Sequence, residues 1–410
     1  MPDDNTPDTD ASAAASGLSR LVLKPREERR LQAGHLWIFS NEVDVAATPL
    51  AAFVPGQVAE VVSSKDRFLG YASVNPHTLI AGRLLGRGPS ERPGRGLLVR
   101  RLEAAKALRE RFYDRPFYRL AFGESDLLPG LVVDRYGDTC VAQLGTAGME
   151  AMKDDVLAAL CRVAAPRAVL WKNDSPLREL EGLPLYVEPA LGEVPDSVEV
   201  EEGGVRFAVP LAAGQKTGWF FYQAPNRAAI ARQCAGARVL DVFSYAGGFG
   251  LQAARAGASE VTCVDASAGA LAAVEASAAA NGLSVSTAKG DAFEVLEGLA
   301  RERRRFDVVI VDPPAFIKRR KDHGKGLAAY KRLNQLALQL LDHDGMLMSC
   351  SCSSHLAEGE LIDAVQRAAR HVDRFVQLAW TGGQAPDHPV HPAIPETRYL
   401  KALMFRVLHA

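Results

Sequence analysis

A chain of 410 residues, 48% hydrophobic and 24% charged, carries enough apolar material for several cores at roughly 100–200 residues per domain. Its formal net charge of −1 excludes a polycation, so any binding of nucleic acid rests on local basic patches. No apolar run reaches the roughly 18 residues of a membrane span. No signal peptide is evident, and the six scattered cysteines form neither a C-x-x-C pair nor a zinc spacing. These features predict a cytoplasmic protein that uses no membrane and holds no metal.

Residues 1–17, acidic and rich in Ala and Ser, read as a disordered tail. Residues 18–90 form short β-like runs, such as 57–62 and 68–74, separated by Gly, Pro and Asp-Arg turns. This predicts a small β-barrel, closed by a Gly-, Pro- and Arg-rich loop at 86–96. Residues 91–196 read as an α+β unit. It has a basic helix over 97–112, a hairpin over 131–144 around Tyr136-Gly137-Asp138, a helix over 149–163 and a strand over 168–172. A second hairpin, with Glu202-Gly203-Gly204 at its turn, spans a linker at 197–214.

From 215 to 410 strands and helices alternate, which predicts an α/β, Rossmann-like, mostly parallel sheet. Strands are expected at 238–242, 260–265, 285–288, 306–312 and 345–349, with helices at 267–281, 292–304, 327–341 and 358–371. Runs at 375–380 and 399–407 suggest an antiparallel edge.

Ligands of such sheets bind outside the carboxyl ends of the strands. Asp241 lies at the end of the first strand, followed by Phe243 and the turn Gly247-Gly248-Phe249-Gly250. Asp265 ends the second strand with Ser267 after it, and Asp291 follows the third. Glycines admit a ligand close to the backbone, and a carboxylate at the second strand end accepts hydrogen bonds from ribose hydroxyls. An acid before a G-G-x-G turn favours S-adenosylmethionine over a nicotinamide dinucleotide. The plainer reading of Asp265 and Asp291 is as helix N-caps.

Asp312-Pro313-Pro314-Ala315-Phe316 closes the fourth strand with a rigid extended turn. Asp312 and the proline carbonyls offer acceptors for a planar base with an exocyclic amine, and Phe316 offers a stacking ring. Cys352, in Ser349-Cys350-Ser351-Cys352-Ser353, supplies a thiol that can add to carbon 6 of a pyrimidine and so activate carbon 5. A buried structural cysteine is the alternative, and Cys350 is assigned that packing role. The basic run Lys318-Arg319-Arg320-Lys321 directly follows the base-gripping turn, so it is expected to contact an RNA backbone.

These residues resemble the RlmI-type family of rRNA cytosine-carbon-5 methyltransferases. Leu23 to Arg30 with Gly34 to Phe39 is similar to the family's N-terminal PUA domain, and Leu128 to Tyr136 to its central domain. Gly214 to Phe221 is similar to the entry into its catalytic domain, and Ser351-Cys352-Ser353 to its catalytic motif. The resemblance implies S-adenosylmethionine as cofactor, large-subunit rRNA as substrate, Cys352 as nucleophile, Asp312 as base-orienting acid, and a homodimer as in some members. It implies that Gln223 and Arg227 hold the methionine end of the cofactor. One position departs from the pattern: Tyr222 stands where the family usually has an acid. Rival readings are methylation of a guanine or an exocyclic amine without a thiol, a nicotinamide-dependent oxidoreductase, and a non-catalytic RNA-binding protein.

Overall fold

The computed structural model describes residues 17–214 and 216–409; of the tail expected at 1–17, all but Gly17 lies outside the described residues. The first sheet has five strands in the order Ser19–Val22, Gln57–Val62, Phe68–Val74, Ile80–Gly86, Trp37–Phe39. It closes on Leu21, Ile38, Val61, Ala72 and Leu84. Two of its strands have the expected bounds. The other three fall within the β-like stretch without having been delimited, and Trp37–Phe39 is too short to display an alternation.

The second sheet also has five strands, ordered Tyr186–Leu191, Ala168–Asn173, Thr139–Leu144, Leu131–Tyr136, Phe117–Phe122. Helices Arg95–Arg109 and Lys153–Ala164 share its core through Leu98, Leu102, Val156 and Leu160. The single helix expected at 149–163 is two, Ala147–Ala151 and Lys153–Ala164, broken at Met152. The first piece docks on the barrel so closely that a Cβ at Gly148 would lie 2.4 Å from that of Ser73. Further ties between the two sheets are polar: Trp37 Nε1 donates to Glu124 at 2.9 Å, and Arg83 pairs with Glu181 at 2.8 Å.

The hairpin Ser197–Glu202 and Val205–Pro210 turns at Gly203 and Gly204, both with positive φ as a two-residue hairpin loop demands. Its alternating Val200, Val205, Phe207 and Val209 are fully buried in the core of the next unit.

That unit is a seven-stranded sheet. We label its strands β1 (Arg238–Val242), β2 (Glu260–Asp265), β3 (Ser286–Lys289), β4 (Phe306–Val311), β5 (Leu341–Ser351), β6 (Arg374–Gly382) and β7 (Lys401–His409). Their order is β3-β2-β1-β4-β5-β7-β6. The first five run parallel, and β7 pairs antiparallel with both β5 and β6. Helices α1 (Gly248–Arg255), α2 (Ala268–Asn281), α3 (Ala292–Arg301), α4 (His323–Leu340) and α5 (Glu358–His371) cover the faces. Apolar runs such as Val308-Val309-Ile310-Val311 arise because both faces are covered: Val308 and Ile310 enter one core, Val309 and Val311 the other. The strand order reverses between β1 and β4, which opens a crevice at their carboxyl ends. Among the described residues no helix is long and apolar enough to cross a membrane.

Candidate active site

The crevice holds a cleft of about 550 Å³. Its floor is set by the turn after β1. Asp241 is fully buried beneath this turn, and one of its oxygens accepts from the Gly250 amide at 2.8 Å. The other oxygen is buried with no hydrogen-bond partner among the described residues, and burial pushes this carboxyl up to about 7. Asp241 therefore braces the glycine turn and does not line the cleft. A side chain at Gly250 would place its Cβ 2.5 Å from Cys263 Sγ, so only glycine fits there. Phe243 and Gly247 both take positive φ, but of the two only Phe243 lines the cleft, with Gly248 beside it.

Asp265, at the end of β2, accepts from the amides of Tyr245 (2.9 Å) and Ser267 (2.8 Å) while facing the cleft. Ser267 itself caps α2 by accepting from Ala270, and it lines a separate cavity of about 190 Å³. Asp291 is both things at once: it caps α3 through the amides of Phe293 and Glu294, and it lines the cleft.

At the other end Asp312, Pro313, Pro314 and Cys352 come together. Gln223 is fully buried and donates to Asp312 at 2.9 Å, while its own carbonyl accepts from Asn226 at 2.5 Å. Burial pushes the Asp312 carboxyl up to about 6, against the opposing pull of Gln223 and Lys216. Cys352 lies just past the end of β5, half-buried. Burial raises its thiol, Lys216 opposes that rise, and the Asp312 charge adds to it. Cys350 is fully buried in the core, as expected.

The segment after β5 is pinned on both sides of the thiol. Ser351 and Tyr330 share a hydroxyl contact at 2.8 Å, and Ser353 donates to the Ile317 carbonyl at 2.6 Å. The buried ammonium of Lys401 donates to the carbonyls of Ser353 and Tyr399.

Other expected residues are placed differently. Arg227 reaches the cleft, but its guanidinium is clamped by Glu202 (2.6 and 2.7 Å) and lies 4.8 Å above Trp219. Phe316 packs on Tyr330 with ring centroids 4.8 Å apart and does not line the cleft, because that apolar contact with α4 draws the ring aside. Lys318, Arg319 and Arg320 are exposed on the segment leading into α4. Lys216, Phe220, Tyr245, Tyr399 and Lys401 were not singled out. The first four line the cleft, and Lys401 supports it from β7. Lys216, Phe220, Tyr399 and Lys401 give faint sequence signals because each comes from a segment far from the acid and glycine motifs, whereas Tyr245 sits inside the Asp241–Gly250 motif.

A family profile described as S-adenosylmethionine-dependent methyltransferase matches residues 186–406, and a PUA-like domain profile matches residues 21–87. The ribosomal RNA large subunit methyltransferase I of Erwinia tasmaniensis is 36% identical over 396 residues, covering 95% of this chain and 99% of the relative. That of Shewanella denitrificans is 37% identical over 398 residues with the same coverage. The structure of SMU.776, described as a methyltransferase complexed with SAH, superposes with a TM-score of 0.80 at 22% identity. It covers 95% of this chain and all of that one, so the fold is shared. The chain belongs to the ribosomal RNA large subunit methyltransferase I family of S-adenosylmethionine-dependent methyltransferases.

S-adenosylmethionine is thus its cofactor, and the cleft fits it. The carboxylates of Asp265 and Asp291 face inward at one end. Gly248 leaves open the space that a Cβ, 3.0 Å from Arg227 Cδ, would take up.

Proposed function

We propose that this protein methylates carbon 5 of a cytosine in large-subunit ribosomal RNA through a covalent adduct of Cys352 at carbon 6. The observation that carries this reading is the meeting of Cys352 and Asp312 in the same cleft as the strand-end carboxylates. The names of its relatives support the RNA substrate and, with it, a cytoplasmic site of action.

Asp265 and Asp291 hold the nucleoside end of the cofactor, with Phe243, Gly248 and Pro313 along its length. Gln223 and Arg227 shape the methionine end, Gln223 by fixing the Asp312 carboxyl. When bound, S-adenosylmethionine supplies an electrophilic methyl group on a sulfonium. Asp312 and the carbonyls beside Pro313 and Pro314 grip the ring nitrogen and exocyclic amine of the flipped cytosine. A carboxyl raised to about 6 is partly protonated near neutrality, so Asp312 donates to the ring nitrogen as electrons move onto it. The Cys352 sulfur bonds to carbon 6, and carbon 5 becomes an enamine carbon that takes the methyl group. The ring nitrogen returns its proton to Asp312, water carries off the carbon-5 proton, and expulsion of the sulfur restores the ring. The exposed Lys318, Arg319 and Arg320 position the RNA through its phosphates.

RNA carrying 5-fluorocytosine at the target cannot lose a proton from carbon 5. It is expected to leave a covalent protein–RNA complex that disappears in Cys352→Ala. Full methyl transfer by Cys352→Ala would instead favour a thiol-free reaction on guanine or an exocyclic amine. Mapping of 5-methylcytosine in rRNA from cells lacking the protein identifies the nucleotide.

A further inference from the structure

Lys216 occupies a strained position just before three residues, Thr217 to Trp219, that are tied down by hydrogen bonds. Its backbone is left-handed, with φ of 51°, which a lysine adopts only when its surroundings impose it. Those surroundings belong largely to the central unit. The Thr217 hydroxyl donates to the buried Asp134 carboxylate, and Arg119 donates to the same hydroxyl at 3.1 Å. The Tyr136 hydroxyl donates to the Thr217 carbonyl at 3.0 Å and accepts from the Trp219 amide at 2.8 Å. Tyr245 ties down the Gly218 carbonyl at 2.9 Å. Lys216 is exposed as a residue, and its ammonium lies 4.9 Å over the Phe220 ring and 3.4 Å from the Tyr222 hydroxyl.

Two lysines act on the Cys352 thiol by their charge, Lys216 from the shared cleft and Lys401 from its seat on the Ser353 carbonyl. The ammonium of Lys401 is committed to the carbonyls of Ser353 and Tyr399. That of Lys216 has no ion-pair partner among the described residues, and it lines the same cleft as Cys352 and Asp312. We infer that Lys216 is the cation that pairs with the Cys352 thiolate, so that the loop anchored on the central unit supplies the charge that readies the nucleophile. This deepens the reading under Proposed function and rests on it. The S–H proton leaves to water, the thiolate forms beside the ammonium, and its lone pair then attacks carbon 6; no oxidant or further reactant is needed.

The other charges acting here set the sign of the effect. Asp312 opposes ionisation of the thiol, and Lys401 favours it. Tyr222, Tyr330 and Tyr399 are raised by burial and stay neutral. Arg119 and Asp134 act on Lys216 with opposite signs, and burial of its ammonium lowers its pKa. Removing Lys216 thus leaves the thiol with burial and Asp312 against it, and a backbone hydrogen bond and Lys401 in its favour.

The test is the rate of iodoacetamide alkylation at Cys352 against pH, read by mass spectrometry of the Cys352 peptide in the full chain. Lys216→Met is expected to move the alkylation midpoint upward by about one unit or more and to slow alkylation at neutral pH about tenfold. Lys216→Arg is expected to restore most of the rate. In methyl transfer Lys216→Met should lower kcat with little change in KM for RNA. An unfolding midpoint close to that of the parent reports an intact fold. An unchanged alkylation profile overturns the inference, and so does a rise in KM with a weaker salt dependence and an unaltered profile, which would mark Lys216 as a phosphate contact. Activity surviving in Cys352→Ala would sink the covalent reading itself, whatever the alkylation profile shows.

Discussion

The two ends of the cleft are built on different principles. The end proposed for the cofactor is local: Asp265 is held by the amides of Tyr245 and Ser267, Asp291 by the two amides that follow it, and every partner lies on the next turn or the neighbouring strand end. The reacting end is assembled from afar. Gln223 reaches Asp312 across 89 positions, and Lys401 reaches the Ser353 carbonyl across 48. Short-range order gives a cradle that any such sheet can offer, whereas long-range order gives a particular chemistry.

The sharpest way to break this contrast is the pair Cys352→Ala and Cys350→Ala. The first is expected to lower methyl transfer by roughly 10⁴-fold or more with cofactor affinity intact. The second should keep activity and lose about 1 kcal/mol of stability, from the small cavity left in the core. Activity assays and urea unfolding of both variants separate nucleophile from filler. At the opposite end, Asp265→Asn should weaken S-adenosylmethionine binding by about 10–100-fold, as loss of a charged acceptor does. Calorimetry reads this directly, and a comparable loss of kcat at saturating cofactor would deny the division between the two ends.

Neutralising Lys318, Arg319, Arg320 and Lys321 together should weaken RNA binding and flatten its salt dependence by about 0.7–0.9 in log–log slope for each phosphate contact removed. Unchanged affinity and slope would remove these side chains from the RNA surface. The last effect bears on stability and not on activity, and concerns Asp241. Its folded carboxyl is raised from 3.8 to about 7, so the native state holds a proton that the unfolded chain releases. Its contribution to stability is present at low pH and is lost as pH rises from about 4 to about 7. Asp241→Asn should flatten that part of the stability profile in urea unfolding, while a profile identical to that of the parent would place the titration elsewhere.

The same division explains what the sequence made legible. The strands and glycine turn of the Rossmann-like unit were readable because period and punctuation are local; Arg238–Val242, Glu260–Asp265 and Glu358–His371 have the bounds expected. α4 begins at His323, four positions before the expected start at Leu327, inside a basic run that masks its periodicity. Asp265, Asp291, Asp312 and Cys352 were visible at strand ends, and the structure brings the four to one cleft. Asp241 was visible too, yet its buried role under Gly250 needed the third dimension. Tyr399 and Lys401 carry no motif, because β7 inserts antiparallel beside β5 and delivers them from the end of the chain. The aromatic ring of Phe316 was expected on the ligand and lies on Tyr330, since burial against α4 outcompetes exposure.

The bonds from Asp134, Arg119 and Tyr136 to the segment at 217–219 bear on how such proteins can be recombined. A chimera joined anywhere between residues 136 and 217 inherits one half of this clasp from each parent. The strand ends that carry Asp265 and Asp291 would travel intact with the later half, but the clasp would survive only where both parents share its geometry. Shuffling experiments among relatives should therefore tolerate junctions before residue 119 far better than junctions inside that interval.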